Sequence, residues 1–413
     1  MITITGAKSI SGQPLTLTCA NQTHQTIDAT GLIALPGLID PHVHFRTPGM
    51  EYKEDWRTGA MAAICGGYTT VFDMPNTIPP TISAALLQEK IALIDSQLKE
   101  VAIPLRYHLF FGADKKHFSE VHQVKNAVIG IKVFMGCSTG NLVIDDDESL
   151  HAIFAIAATQ NLIVAVHAED EDRLKSQKKH FQDQGALSYS HHSEIRDVQA
   201  ACLAVAKAIE LCRIYRTRLY ILHVSTADEI ALIKKAKEEG LPVHAETTPH
   251  HLFLNQDSYP QLQGRAVVNP PLRELHHNTA LMEAIRAGII DTIGSDHAPH
   301  TQQEKAKPYG ECPSGMPGIE TTLPLLLTAY HQGLLTLEHI VALTSTRAET
   351  IFGLPKTADW VLVDMDREAV VDPLKLKTKC AWSAFSGRLL RGWPIYTILK
   401  EQCFFLDDLR ENR

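Results

Sequence analysis

Between residues 38 and 350 the chain alternates short β-branched or aromatic runs with longer amphipathic stretches, eight times over. No other feature limits the possible folds so sharply, because strands separated by helical crossovers pair in parallel and bury both faces of their sheet. The runs are LIDPHVHF (38–45), YTTVFDMP (68–75), LRYHLFFG (105–112), AVIGIKVFMG (127–136), LIVAVHAE (162–169), RLYILHVS (218–225), LPVHAET (241–247) and IDTIGSDHAPH (290–300). Eight such units over about 310 residues predict an α/β fold of the (β/α)8, TIM-like barrel type, which carries insertions at this length. Two crossovers are readable in detail. Residues 194–214 keep Ile195, Val198, Cys202, Val205 and Ile209 on one stripe at helical spacing, which predicts a single helix. The next opens on Thr226 as N-cap and stops at Gly240 and Pro242.

The ends of the chain follow a different period. Residues 1–35 and 358–400 alternate in steps of two with turn residues between them, which predicts strands without helices that pair with each other. A small β domain of residues 1–37 plus 354–413 would then flank a barrel of residues 38–353, with linkers near 35–37 and 353–356.

Composition narrows the function classes. A net charge of −8 over 413 residues excludes a basic nucleic-acid binder. The longest apolar stretches, such as LIVAV at 162–166, fall far short of the roughly 18 residues of a membrane span. The start MITITGAKSI lacks the cationic lead and apolar core of a secretory signal, so a cytoplasmic location is expected. Eight cysteines with no CxxC pair suit reduced, mostly buried thiols rather than a disulfide framework or thiolate zinc site. Twenty-one histidines are the unusual count.

In a barrel the chemistry sits at the C-terminal strand ends, and there the polar residues gather. The first run ends in His42 and His44, two apart on a strand and so on the same face. Lys132 interrupts an apolar run, where it must pair with a carboxylate or be modified to escape desolvation. His167 and His223 end the fifth and sixth runs, and Asp296 ends the eighth with His297 and His300 behind it. Any one of these histidines alone suits a hydrogen-bonded structural role. Four His, one inward Lys and one Asp at one end of one barrel suit a pair of divalent metals, Zn²⁺ before Co²⁺ or Mn²⁺. Such a pair lowers the pKa of a shared water towards about 7. The acidic run at 145–148 is expected to begin a helix, and His191, His192, His250 and His251 to be structural or exposed.

Read outward from these ligands, DPHVHFRTPGMEYKEDWRTG (40–59), GGYTTVFDMPNTIPPT (66–81), GIKVFMGCSTGN (130–141), VHAED (166–170), LHVST (222–226), TPHHLFL (248–254), VNPPLR (268–273), SDHAPHTQQEK (295–305), PSGMPGIE (313–320) and KCAWSAFSG (379–387) resemble, in order, the dihydroorotases of the amidohydrolase superfamily, in their longer form. The resemblance implies His42 and His44 on one Zn²⁺, His167 and His223 on a second, a carboxylated Lys132 as bridge, and Asp296 as metal ligand and proton shuttle. It implies that Arg46, Asn76, Asn269 and His300 hold the substrate. Leu222 stands where some relatives have a cysteine that helps bind a third metal, so two metals are expected. Thr47 stands where Glu is usual.

The activity implied is reversible cyclisation of N-carbamoyl-L-aspartate to L-dihydroorotate and water, a step of de novo pyrimidine synthesis, through a hydroxide bridging two metals. The same metal set serves dihydropyrimidinases, hydantoinases and allantoinases. Their rings lack the carboxylate that Arg46 would clamp as a planar fork of donors. A catalytically silent scaffold for aspartate transcarbamoylase is the remaining alternative, and it should have lost ligands. A homo-oligomer, in the first place a dimer, with transcarbamoylase as a possible partner, completes the expectation, along with a lid function for the loop at 137–147.

Overall fold

The computed structural model describes residues 1–20, 24–115, 120–136, 142–185 and 187–411. Its strands, in chain order, are β1 (Ile2–Ser9), β2 (Pro14–Cys19), β3 (Gln25–Asp28), β4 (Ile33–Pro36), β5 (Leu38–Val43), β6 (Tyr68–Asp73), β7 (Arg106–Gly112), β8 (Gly130–Phe134), β9 (Ile163–His167), β10 (Arg218–Ile221), β11 (Val243–Thr247), β12 (Thr292–Ile293), β13 (Trp360–Val370), β14 (Leu389–Leu399) and β15 (Gln402–Phe405). Strands β5 to β12 lie side by side in sequence order, and the ladders along the path are parallel. Each begins within a run read as a strand from the sequence.

The eighth strand is only two residues long, and the join between β12 and β5 is made differently from the other seven. Asp40 on β5 accepts from the amide of Ser295 at 3.0 Å and from that of His42 at 3.1 Å through one carboxylate oxygen. Just beyond, the His44 amide donates to the His297 carbonyl at 2.8 Å, and single bridges tie Val43 to His297 and His297 to Met316. Burial pushes the Asp40 carboxyl up to about 7, with the two amides pulling the other way.

Alternation along the strands divides the core. One face of the strands meets the surrounding helices through Val71, Leu109, Val133, Val164, Leu219 and Ala245. Residues of opposite parity, among them Ile39, Phe72, Phe110, Ile163, Ala165 and Tyr220, pack with Phe352 from the helix Arg347–Phe352. The Phe352 ring lies edge-on to Phe72 at 4.8 Å and to Tyr220 at 5.1 Å. A solid apolar plug therefore fills the inside of the barrel, and the polar residues of the same parity are left at its other end.

Strands from both termini form the second sheet in the order β15-β14-β13-β4-β1-β2, with β3 on β1. Antiparallel pairing of β4 with β13, from Trp360↔Pro36 to Val363↔Ile33, joins the two ends of the chain. Gly37 alone separates β4 in this sheet from β5 in the barrel. A helix, Leu406–Glu411, follows β15.

One helix departs from its sequence pattern. The stretch 194–214 is two helices, His192–Ile195 and Val198–Tyr215. Asp197 caps the second by accepting from the Ala200 amide at 2.9 Å, and the Arg196 side chain is drawn into a buried ion pair with Glu169. The Thr226 cap forms a capping box with Glu229 on the helix Ala227–Glu238, and Asp146 caps Asp147–Thr159 by accepting from the Ser149 amide at 2.8 Å. Among the described residues no helix is long and apolar enough to cross a membrane, and the seven described cysteines are free thiols. Residues 137–141, which include Cys137 and the first five residues of the loop expected at 137–147 to cover the site, lie outside the described residues.

Candidate metal centre

A cleft of about 360 Å³ opens at the C-terminal ends of the barrel strands, lined by His42, His44, Arg46, Asn76, Lys132, Phe134, His167, His223, Asn269, Asp296, Ala298, Ser314 and Gly315. Nine of the ten residues singled out in the sequence face it. His300 does not line it and stands, fully buried, behind Arg46.

His42, His44 and Asp296 bring one ligand atom each to a common point. The two Nε2 atoms are 3.3 Å apart, and Asp296 Oδ1 is 3.4 Å from the first and 3.1 Å from the second. The far sides of the rings decide what those atoms carry. His42 Nδ1 meets the buried carboxylate of Glu246 at 2.8 Å, and His44 Nδ1 meets the Asn76 side-chain oxygen at 2.8 Å. Both partners accept only, so both Nδ1 atoms carry the proton and both Nε2 atoms present lone pairs. Burial drives the His44 pKa down to about 3, although Asp296 pulls the other way, so the ring stays neutral. Two lone pairs and a carboxylate oxygen thus converge where only a cation can relieve them, and this donor set fits a divalent metal.

His167 Nδ1 faces His223 Nε2 at 2.9 Å. The outer nitrogen of His167 lies 2.9 Å from Glu169 Oε2, and Glu169 is in turn clamped by Arg196. Lys132 is 1% exposed, and its ammonium sits 4.6 Å from the centre of the Phe134 ring. Among the described residues no carboxylate lies within ion-pair distance of it, which leaves the amine as the group that must adapt. Burial lowers its pKa to about 7, so at neutral pH much of it is the free amine.

Arg46 is fully buried, donating from Nε to the Pro299 carbonyl at 3.1 Å, with one terminal nitrogen 3.1 Å from His300 Nε2. Burial lowers even its pKa to about 10. Asn269 turns its side-chain oxygen, buried and without a hydrogen-bond partner, into the cleft wall. Three of the non-glycine residues with positive φ are site residues, Arg46 at 61°, His223 at 40° and Asp296 at 43°. Left-handed backbone at such positions costs on the order of 1–3 kcal/mol each and is tolerated where the surrounding structure fixes a side chain for a task.

The sequence reading did not single out Glu169 or Glu246. Both lie in quoted strings, at or just past a strand end, and an acid there was the available signal. Their partners, 27 and 204 residues away, were not visible. Gly294 completes the arrangement. A Cβ there would come within 2.5 Å of the Glu246 carboxyl carbon and 2.8 Å of the His42 Cβ, so only glycine lets the two approach. His192, His250 and His251 are buried. His192 bridges the Tyr309 hydroxyl at 3.0 Å and the Val268 carbonyl at 2.9 Å, a structural tie.

Comparison with known proteins agrees with this geometry. The sequence pattern of the amidohydrolase family matches residues 33–399. A dihydroorotase of Methanosarcina acetivorans is 34% identical over 398 residues, covering 92% of this chain and 84% of the relative. A dihydroorotase of Halobacterium salinarum is 36% identical over 375 residues, covering 89% and 85%. Among solved structures, the L-hydantoinase of Arthrobacter aurescens superposes with a TM-score of 0.90 at 26% identity, covering 97% of this chain and 95% of that one.

Proposed function

Because the chain belongs to the amidohydrolase family, we propose that it is a dihydroorotase, interconverting N-carbamoyl-L-aspartate and L-dihydroorotate. The observation that carries the choice among cyclic-amide hydrolases is Arg46, a buried guanidinium facing the same cleft as the three converging ligand atoms. A hydantoin or dihydrouracil ring offers no carboxylate to it, and a buried cation left unpaired is costly. The names of the sequence relatives support this reading, whereas the hydantoinase superposition reflects a shared barrel at lower identity.

We assign His42, His44 and Asp296 as the residues that would hold one Zn²⁺ and His167 and His223 as those that would hold a second, with Lys132, carboxylated, as a further anionic ligand. Lys132 is suited to this, since a carbamate forms from the neutral amine. Bound, the ions would supply a water of lowered pKa and polarise a carbonyl oxygen.

The chain's own residues do the rest. Arg46 pairs with the ring carboxylate and fixes the ring's orientation, with Asn76 and His300 beside it. Asn269 accepts from a ring N–H through its unpartnered oxygen. Asp296 takes a proton from the attacking water and delivers it to the leaving ring nitrogen in the opening direction, and reverses these roles in cyclisation. Glu246 and Asn76 hold the first two imidazoles in one tautomer, and Glu169 with Arg196 does the same for His167. The free thiols fit a reducing, cytoplasmic setting.

The deciding experiment assays purified protein on dihydroorotate, dihydrouracil, hydantoin and allantoin, with metal analysis of the same sample. Turnover of dihydroorotate far above the others, with two ions per chain, is the expected result. Preference for a neutral ring would overturn the assignment.

A further inference from the structure

Behind Arg46 lies a buried group of charges that no step above uses. Lys53, 6% exposed, places its ammonium 3.0 Å from His300 Nδ1 and 2.9 Å from Glu304 Oε1. An ammonium only donates, so the ring nitrogen it meets must accept. Glu304 Oε2, the competing acceptor for a proton on that nitrogen, is 3.6 Å away, beyond hydrogen-bond reach. The ring proton is therefore on Nε2, where it donates to the Ser314 carbonyl at 2.9 Å. That nitrogen lies 3.1 Å from a terminal nitrogen of Arg46, which also only donates. Two N–H donors this close do not bond each other, so with the His300 proton taken by Ser314 the Arg46 terminal N–H finds no acceptor in His300.

We propose that the Lys53–Glu304 ion pair fixes His300 in its Nε2–H tautomer, so that His300 cannot accept from Arg46 and the arginine's terminal N–H is kept for the substrate carboxylate. Lys53 is thus a positioning residue for carboxylate selectivity. The inference rests on the carboxylate-binding reading of Arg46 given above. Without Lys53, His300 is free to move its proton to Nδ1, towards Glu304, and accept from Arg46 at Nε2. The arginine would then be satisfied internally and its terminal donor lost to the substrate. The Glu304 carboxylate is anchored for its part by the amide and hydroxyl of Thr301 at 3.0 and 3.2 Å, so it holds Lys53 in place.

The test uses the full-length, metal-loaded enzyme. Histidine-¹⁵N-labelled wild type should show His300, identified by the signal missing in His300→Gln, protonated at Nε2 alone, and Lys53→Met should shift that proton wholly or partly to Nδ1. In kinetics, Lys53→Met should raise KM for dihydroorotate at least tenfold with kcat within threefold, and leave kcat/KM for dihydrouracil unchanged. Lys53→Arg keeps a donor-only cation and should hold both the tautomer and the KM, which keeps the inference testable if the methionine variant folds poorly. A wild-type His300 protonated at Nδ1, or equal losses on both substrates, would overturn the inference. A wild type that does not turn over dihydroorotate would instead overturn the activity proposed above, and the spectrum would still decide the tautomer.

Discussion

Glu246 is the residue whose replacement tests the metal-centre geometry most directly, because it touches no substrate and yet sets what His42 can do. Glu246→Gln keeps the shape and one carbonyl acceptor. His42 Nδ1, at 2.8 Å, can still donate to the amide oxygen, but to a neutral acceptor. The new amide nitrogen takes the place of the oxygen that accepts from the Tyr220 hydroxyl at 2.9 Å. That hydroxyl is also 2.6 Å from Thr292 Oγ1, so it can turn, accept from the amide and donate to the threonine. The fold should therefore survive, and what is lost is the charge on one hydrogen bond. The difference between a charge-assisted and a neutral bond is about 1–1.5 kcal/mol. This is roughly a tenfold loss of affinity for the ion on His42, at the low end of the roughly 10- to 100-fold typical of such supporting partners. Glu246→Ala should cost more, since it also leaves His42 Nδ1–H and the His223 amide, 3.3 Å from the same carboxylate, buried without an acceptor, at about 1–3 kcal/mol each. Competition between metal-free protein and a chromophoric zinc chelator reads the affinity, and thermal unfolding of the same samples reads the fold. If Glu246→Gln bound its first ion as tightly as wild type, within twofold, the tautomer argument for His42 would be wrong.

Arg46→Met should lower kcat/KM for dihydroorotate by a hundred- to several-thousand-fold, the equivalent of about 3–5 kcal/mol for breaking a buried charge pair, while metal content stays at wild-type level; loss of bound metal in this variant would place Arg46 in the metal site instead. Lys132→Ala should lose the second ion and activity together, with partial rescue by a short carboxylic acid, and full activity would leave the lysine a structural role. The Lys132 amine also sets a pH dependence. Its pKa of about 7 lies below its ordinary value of 10.5, so between those limits the unfolded chain holds a proton that the folded one has released. Stability of the metal-free protein should therefore rise with pH across that window. At fixed dissolved CO₂, carbamate formation followed by ¹³C NMR should rise roughly tenfold per pH unit below 7 and level off above it; a rate still climbing through pH 9 would indicate an ordinary lysine.

Much of the fold was legible because both periods are local. The alternation of βα units announces eight parallel strands, and the period-two termini announce their own sheet. Thr226 could be read as a cap because a cap acts within three residues. The break at Arg196 was not legible, since the stripe from Ile195 to Ile209 continues across it and the cause, Glu169, lies 27 residues away. The same reason separates the site residues that were seen from those that were not. HxH on one strand and a lysine in an apolar run carry their own anomaly. Glu246, Glu169, Lys53 and Glu304 are ordinary acids and bases in sequence, and only the closed barrel shows whose proton each one fixes. His300 was read as a direct neighbour of the cleft, whereas it reaches it through Arg46 and the Ser314 carbonyl.

The join between the first and eighth barrel strands has a consequence for how the ring keeps its shape. His42 and His44 stand on one side of that join and Asp296 on the other, and the backbone between them is fastened by a few contacts instead of a ladder. An ion held by all three would act as a rivet across the weakest part of the wall, put in place only after chain segments some 250 residues apart have met. Stripping the metal would then do more than silence the chemistry. It would unpin the ring at its one unlaced edge, so hydrogen exchange in the demetallated protein should quicken first at residues 40–44 and 294–298, well before the other seven strand pairs give way.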